Sequence, residues 1–166
     1  MQKKIDIYNH VLPPQYLELV KAHSKDAGIV KRMVSLRMLW DMEARAAMMV
    51  EKFPDVVQVL TLSQPSPEML GGPDQSPGFA RVANDGMAEI CRRWPDQFPA
   101  FVAALPMNNV SAALVEMDRA INELGARGVQ VVTNVNGRPL DDPEFFPVFE
   151  AMATRHDLPV WMHPFR

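Results

Sequence analysis

Ile5-Asp6-Ile7-Tyr8-Asn9-His10 and, far down the chain, Leu158-Pro159-Val160-Trp161-Met162-His163-Pro164 are two short apolar runs that each close on a histidine. Runs of this kind read as strands buried on both faces, the pattern of a parallel sheet. In parallel α/β proteins the carboxyl ends of neighbouring strands open onto one mouth, where metals and substrates gather. Two histidines at two such ends therefore point to one metal site. The chain stops three residues after His163, so ligands that a later strand would bring are expected to lie outside it.

The same signal recurs between these runs. Residues 56–62, 100–105 and 128–133 are rich in Val, Leu, Phe and Ala, and with 4–10 and 158–163 they make five expected strands. Apolar residues at helical spacing separate them: Met42, Ala46, Met49 and Phe53; Ala83, Met87, Ile90 and Trp94; Leu114, Met117, Ile121 and Leu124; Phe145, Phe149 and Met152. Asp41 and Asp142 suit N-caps, Pro143 a first helical turn, and Gly125 a helix stop. Links from helix back to strand, at 123–128 and 155–159, are short. Those after the first and second strands, 11–40 and 63–78, are long, and the second is turn-rich and aperiodic. Elaboration of the carboxyl-end rim is how α/β barrels build sites. The alternation predicts five parallel β/α units, although an open doubly wound sheet would give the same periods.

Composition narrows the function classes. A chain of 166 residues with 48% hydrophobic content can bury a sizeable core, so disorder is excluded. Its 17 basic and 20 acidic residues are interspersed, without the basic stripe that nucleic acid requires. Cys91 is the only cysteine; it rules out an internal disulfide, fits a reducing compartment and reads as inert packing. The twelve methionines fall mostly on apolar helical positions and read as core filling. With no basic-then-apolar leader and no window of about 20 apolar residues, a cytoplasmic protein with no membrane partner is expected.

The opening Ile5-Asp6-Ile7-Tyr8-Asn9-His10-Val11-Leu12-Pro13 resembles the Asp-x-His-x-His-x-x-Pro start of the amidohydrolase superfamily. It is most similar to the branch of aminocarboxymuconate-semialdehyde decarboxylase and related aromatic-acid decarboxylases. Trp40 to Arg45, Ala80-Arg81 with Asn84-Asp85, Phe98 through Met107, Gly125 through Gln130, Asn136 through Glu144 and Val160 through Pro164 match that branch in order. The resemblance implies a (β/α)8 TIM-type barrel, of which residues 1–166 would be a single domain truncated after strand five. It also implies a divalent metal, zinc foremost, at the mouth. His10 matches the second histidine of the opening motif and His163 the strand-five ligand, while Tyr8 stands where the motif has its first histidine. The strand-eight aspartate and the histidine after strand six have no counterpart here, so the catalytic residues are unknown.

Elementary chemistry supports those residue types. Positions 8 and 10 of one strand face the same side, and His163 approaches from another strand. Imidazole nitrogen suits zinc, whereas a phenol must lose a proton of pKa about 10 to bind well. Tyr8 is therefore weighed as a pocket wall as well as a ligand. Asp6 is expected to be a hydrogen-bonded structural carboxylate. His23, in the loop, and His156, at the opposite rim, are assigned to solvent. Arg32 and Arg37 lie in the long first loop, where the decarboxylase branch carries a substrate-binding arginine, and Arg166 follows His163 on the same rim; each could bind a substrate carboxylate through paired hydrogen bonds.

The expected activity is non-oxidative, metal-dependent decarboxylation of an unsaturated or aromatic carboxylic acid, incomplete in this chain alone. Hydrolysis of an amide, lactone or ester on the same scaffold is the alternative, and a non-catalytic barrel fragment is the reading from another class. Unpaired edges at the first and fifth strands, with Val59, Leu60 and Val131 short of partners, predict a homo-oligomer.

Overall fold

The computed structural model describes residues 3–164; Arg166 lies outside them. From the amino end, β1 (Lys4–Val11) is followed by α1 (Pro14–His23), α2 (Ala27–Ser35), a 3-10 turn (Arg37–Leu39) and α3 (Met42–Lys52). Then come β2 (Val56–Leu62), the short α4 (Pro67–Leu70), the long α5 (Ser76–Arg93), β3 (Ala100–Phe101), β4 (Ala103–Ala104) and α6 (Val110–Asn122). The remainder is β5 (Val129–Val132), β6 (Asn134–Val135), β7 (Arg138–Pro139), a 3-10 turn (Pro143–Phe145), α7 (Phe146–Ala151), a π turn (Met152–His156) and β8 (Val160–His163).

β1 pairs with β2, β2 with β3, β4 with β5 and β5 with β8, all parallel. β3 and β4 are one strand interrupted at Val102: the Val102 amide donates to Leu60 on one side, and the Ala103 amide to Gly128 on the other. The five expected strands are thus present in sequence order. The antiparallel β6–β7 pair is a hairpin in the link after β5, outside the five.

Curvature decides between the barrel and the open sheet. In a flat sheet the first and fifth strands would lie about 19 Å apart, four intervals of about 4.8 Å. Here the Tyr8 hydroxyl donates to the Met162 carbonyl at 2.5 Å, and the Trp161 indole N–H donates to the Ile7 carbonyl at 2.7 Å. The sheet is rolled, and these two side chains bridge its concave face. Rolling needs close backbone approach at Gly128, where φ is +150° and an added Cβ would lie 2.5 Å from the Pro159 carbonyl oxygen of the neighbouring chain segment.

The helices carry the core on the other side of the sheet. Met42, Ala46 and Met49 of α3, Ala83, Met87 and Ile90 of α5, Met117 of α6 and Phe145 and Met152 near α7 are buried in one cluster with Leu60, Leu62, Val129 and Val131. Leu60 and Val131 are therefore not the under-packed interior residues expected from sequence; exposed apolar side chains do occur on the two outer strands, with Ile5 64% and Met162 54% exposed, and on helices, as at Val50 and Val115. Phe53, expected on the α3 face, is exposed past its end. Local chemistry sets the helix starts: Asp41 accepts from the Ala44 amide, Asp26 from those of Gly28 and Ile29, and Asn109 from that of Ala112. A buried polar tie fixes α5 to the third strand, since Asn84 accepts from the Ala104 amide and donates to the Ala104 carbonyl and to Glu116. Among the described residues no helix is long and apolar enough to cross a membrane.

Candidate metal centre

A bulge in β1 aims the site. The register runs from Asp6 opposite Gln58 to Asn9 opposite Leu60, so β1 spends one more residue than β2 over this interval. Asp6 and Asn9 both meet the polar groups of β2 and α3. Asp6 accepts from the Gln58 side-chain amide at 3.0 Å, and Asn9 Oδ1 accepts from Arg45 at 2.6 Å. Asp6 is the hydrogen-bonded structural carboxylate expected of it. Past the bulge, His10 faces His163 at the end of β8.

The two imidazoles meet tip to tip, Nε2 to Nε2 at 3.3 Å, with ring centroids 5.0 Å apart. Their protonation follows from the other ring nitrogens. His10 Nδ1 lies 2.9 Å from Thr61 Oγ1, and the single hydroxyl proton of Thr61 is given to the Asn9 carbonyl at 2.5 Å. Thr61 can only accept from His10, so His10 Nδ1 carries the proton. His163 Nδ1 lies 2.8 Å from the Pro164 carbonyl, an acceptor only, so it too is protonated at Nδ1. Both Nε2 atoms then present lone pairs to each other.

Facing lone pairs repel unless a cation lies between them. Burial first, then His163 and Arg45, hold the His10 pKa below the ordinary imidazole value, which disfavours a proton on that ring. A metal would fit: two imidazole nitrogens 3.3 Å apart are within the reach of one ion with bonds of about 2.05 Å, and His10 and His163 would hold it. Tyr8 stands beside the pair, its ring 6.2 Å from His10 and 6.3 Å from His163. Its proton is committed to Met162, and burial raises its pKa further. As placed, Tyr8 lines the site with its hydroxyl engaged by the Met162 carbonyl. Among the described residues no group of three or more His, Cys, Asp or Glu side chains is gathered to hold a metal.

Among the described residues no hydrogen bond or ion pair brings Arg32 or Arg37 to the histidine pair. Arg37 is paired with Asp41 at 2.7 Å, and Arg32 is exposed at the end of α2. The His23 ring, at the end of α1, is tilted at 47° to that of Phe79 with centroids 4.8 Å apart, and His156 is bonded to Asp118 at 2.8 Å with its side chain 8% exposed. His23 is exposed, as expected, whereas the bond of His156 to Asp118 corrects the expectation that it is solvated. Cys91 is free and half-buried, its thiol pushed up to about 12 by burial, in keeping with inert packing.

Sequence reasoning missed Thr61 and Arg45. Arg45 is buried on α3, and its guanidinium donates to Asn9 Oδ1, the His10 carbonyl, the Met38 carbonyl and Gln58 Oε1. Burial brings its pKa down to about 10, so it stays a cation at neutral pH. A signal existed: Arg45 sits three residues after Met42 and four before Met49, a charge within the apolar stripe of its own helix.

The chain is similar to decarboxylases over nearly its whole length. It is 29% identical to 2-amino-3-carboxymuconate-6-semialdehyde decarboxylase of Dictyostelium discoideum, the match covering 97% of this chain and 48% of that protein. It is 32% identical to gamma-resorcylate decarboxylase of Rhodococcus jostii (strain RHA1), covering 99% and 51%. In three dimensions it superposes with a TM-score of 0.81 and 26% identity on 5-carboxyvanillate decarboxylase from Novosphingobium aromaticivorans DSM 12444 complexed with manganese, covering 98% of this chain and 50% of that one. The chain spans about half the length of these relatives. The family profile described as Amidohydrolase matches residues 5–165, and with a rolled parallel sheet and a histidine pair at its strand ends, this chain belongs to that family.

Proposed function

We propose that this chain carries the amino-terminal part of the metal site of a non-oxidative decarboxylase that acts on an aromatic or unsaturated carboxylic acid. The observation that carries the proposal is the pair of Nε2 lone pairs converging at 3.3 Å. In this reading His10 and His163 hold the ion, and Tyr8 walls the cavity. The bound ion supplies charge stabilisation and orientation for the substrate carboxylate. Arg32, exposed on the first long link, is the better candidate for that carboxylate, since Arg37 is already engaged by Asp41. Zinc is favoured by the imidazole donors of His10 and His163, and manganese by the metal in the 5-carboxyvanillate decarboxylase structure. No residue of this chain is assigned the proton transfer. A lone cysteine supports a cytoplasmic setting, and exposed apolar residues on β1 and β8 support self-association.

Calorimetric titration of the chain with Zn2+ and with Mn2+, beside His10→Ala and His163→Ala, tests the site. Binding in the parent that is lost in both variants is expected, and equal binding in all three overturns it. Carbon dioxide release from 2,6-dihydroxybenzoate by a full-length polypeptide, measured against lactone hydrolysis, separates decarboxylase from hydrolase.

A further inference from the structure

We propose that Thr61 is the positioning residue of this centre: its hydroxyl, oriented by the Asn9 carbonyl, holds the proton of His10 on Nδ1 and so aims the Nε2 lone pair at the ion. The inference rests on the metal reading above and adds to it the group that makes His10 ready before any ion arrives. Thr61 is fully buried and lies directly opposite His10 in the β1–β2 register. A β-branched side chain on a strand has few rotamers, so its oxygen is fixed in place. That oxygen makes both bonds, giving its proton to Asn9 at 2.5 Å and receiving that of His10 at 2.9 Å.

The partner end is held equally firmly. Arg45 donates to the His10 carbonyl at 2.6 Å and to Asn9 Oδ1 at 2.6 Å, and the Asn9 side-chain Nδ2 donates to the Val59 carbonyl at 2.8 Å. Asn9, whose carbonyl accepts from Thr61, is thus anchored through its side chain to α3 on one side and to β2 on the other. His163 has no such support: its Nδ1 bond runs to the carbonyl of the next residue, in an exposed position. Hydrogen bonds behind a ligating histidine typically govern metal affinity by about 10- to 100-fold. On this structure that effect should belong to Thr61 and bear on His10.

Thr61→Val keeps the shape and removes both bonds, while Thr61→Ser restores the hydroxyl. Two measurements on the chain separate positioning from mere packing. Zn2+ affinity, by competition with a chromophoric chelator, should fall about tenfold or more in the valine variant and recover in the serine variant. Two-bond 1H–15N correlations of metal-free protein, above the imidazole titration range, should show His10 protonated at Nδ1 in the parent and the serine variant, and redistributed toward Nε2 in the valine variant. An unchanged His10 pattern in Thr61→Val overturns the proposal, even if affinity falls. A parent chain that binds no Zn2+ while the valine variant still shifts the pattern sinks the metal reading and leaves the role of Thr61 in the ring's orientation standing.

Discussion

Glu68 offers a sharp quantitative test of the packing around the rim. It lies on α4, 5% exposed, and its Oε2 has no hydrogen-bond partner among the described residues. Burial raises its pKa from an ordinary 4.5 to about 7. A move of that size corresponds to about 3 kcal/mol between the two protonation states. The folded chain therefore holds this proton more tightly than the unfolded chain. Below about pH 4.5 both are protonated and folding carries no penalty; as pH rises toward about 7 the unfolded chain ionises first, and stability falls until the folded carboxyl ionises too. Glu68→Gln mimics the protonated acid at every pH. Urea unfolding followed by tryptophan fluorescence should show the variant matching the parent near pH 4.5 and exceeding it by about 3 kcal/mol near pH 8. The neighbouring Tyr16 does not interfere, because burial and Glu68 raise its phenol well above this range. A stability difference that stays constant with pH would refute the reasoning.

Arg45→Lys should lose about 2 to 4 kcal/mol in the same unfolding assay, since one ammonium cannot serve the four acceptors that the guanidinium reaches, and an undiminished midpoint would refute that. Gly128→Ala should cost about 2 kcal/mol or more, because its Cβ meets the Pro159 carbonyl and its φ is positive, and a neutral result would show that β5 and the segment before β8 can part. Asn84→Ala should destabilise by about 2 to 4 kcal/mol through the orphaned Ala104 amide and carbonyl and the buried Glu116, read by the shift in urea midpoint. The exposed Ile5, Ile7 and Met162 predict concentration-dependent association in sedimentation velocity, reduced by Ile5→Lys; an ideal monomer at all concentrations would oppose it.

What the sequence disclosed was whatever hydrophobic period could carry. The five strands, α3, α5, α6 and the Phe145 to Met152 region each have an apolar stripe or run, and each is present within a few residues. The helices α1 and α2 were hidden inside a presumed long loop. Start signals were present, with Pro14 in the first turn of α1 ahead of the buried Tyr16, Leu17 and Val20, and Asp26 capping α2; the short, closely spaced elements of that link masked them. The histidine pair was legible because each member closes a strand and matches a motif. Its support was not, since Thr61 looks like an ordinary strand residue and the β1 bulge has no period of its own. The fate of Tyr8 depended on curvature, which brings Met162 from the fifth strand to the first.

The buried cation behind the site has a consequence for how the site works. Arg45 makes no direct ion pair among the described residues; its nearest compensation is Asp6, reached through Gln58, which accepts from Arg45 and donates to Asp6. Burying a guanidinium this way is unfavourable, as its lowered pKa records, and the cost is offset by the acceptors it satisfies. One of those acceptors is the His10 carbonyl itself, so a positive charge sits directly behind the histidine and disfavours protonation of its ring. An imidazole kept neutral, with its Nδ1 proton already given to Thr61, is an imidazole in its ligating form. The Asp6–Gln58–Arg45–Asn9–Thr61 chain thus joins strand, helix and ring into one device: the same hydrogen bonds that stabilise the β1 bulge also select the protonation state that a divalent cation requires.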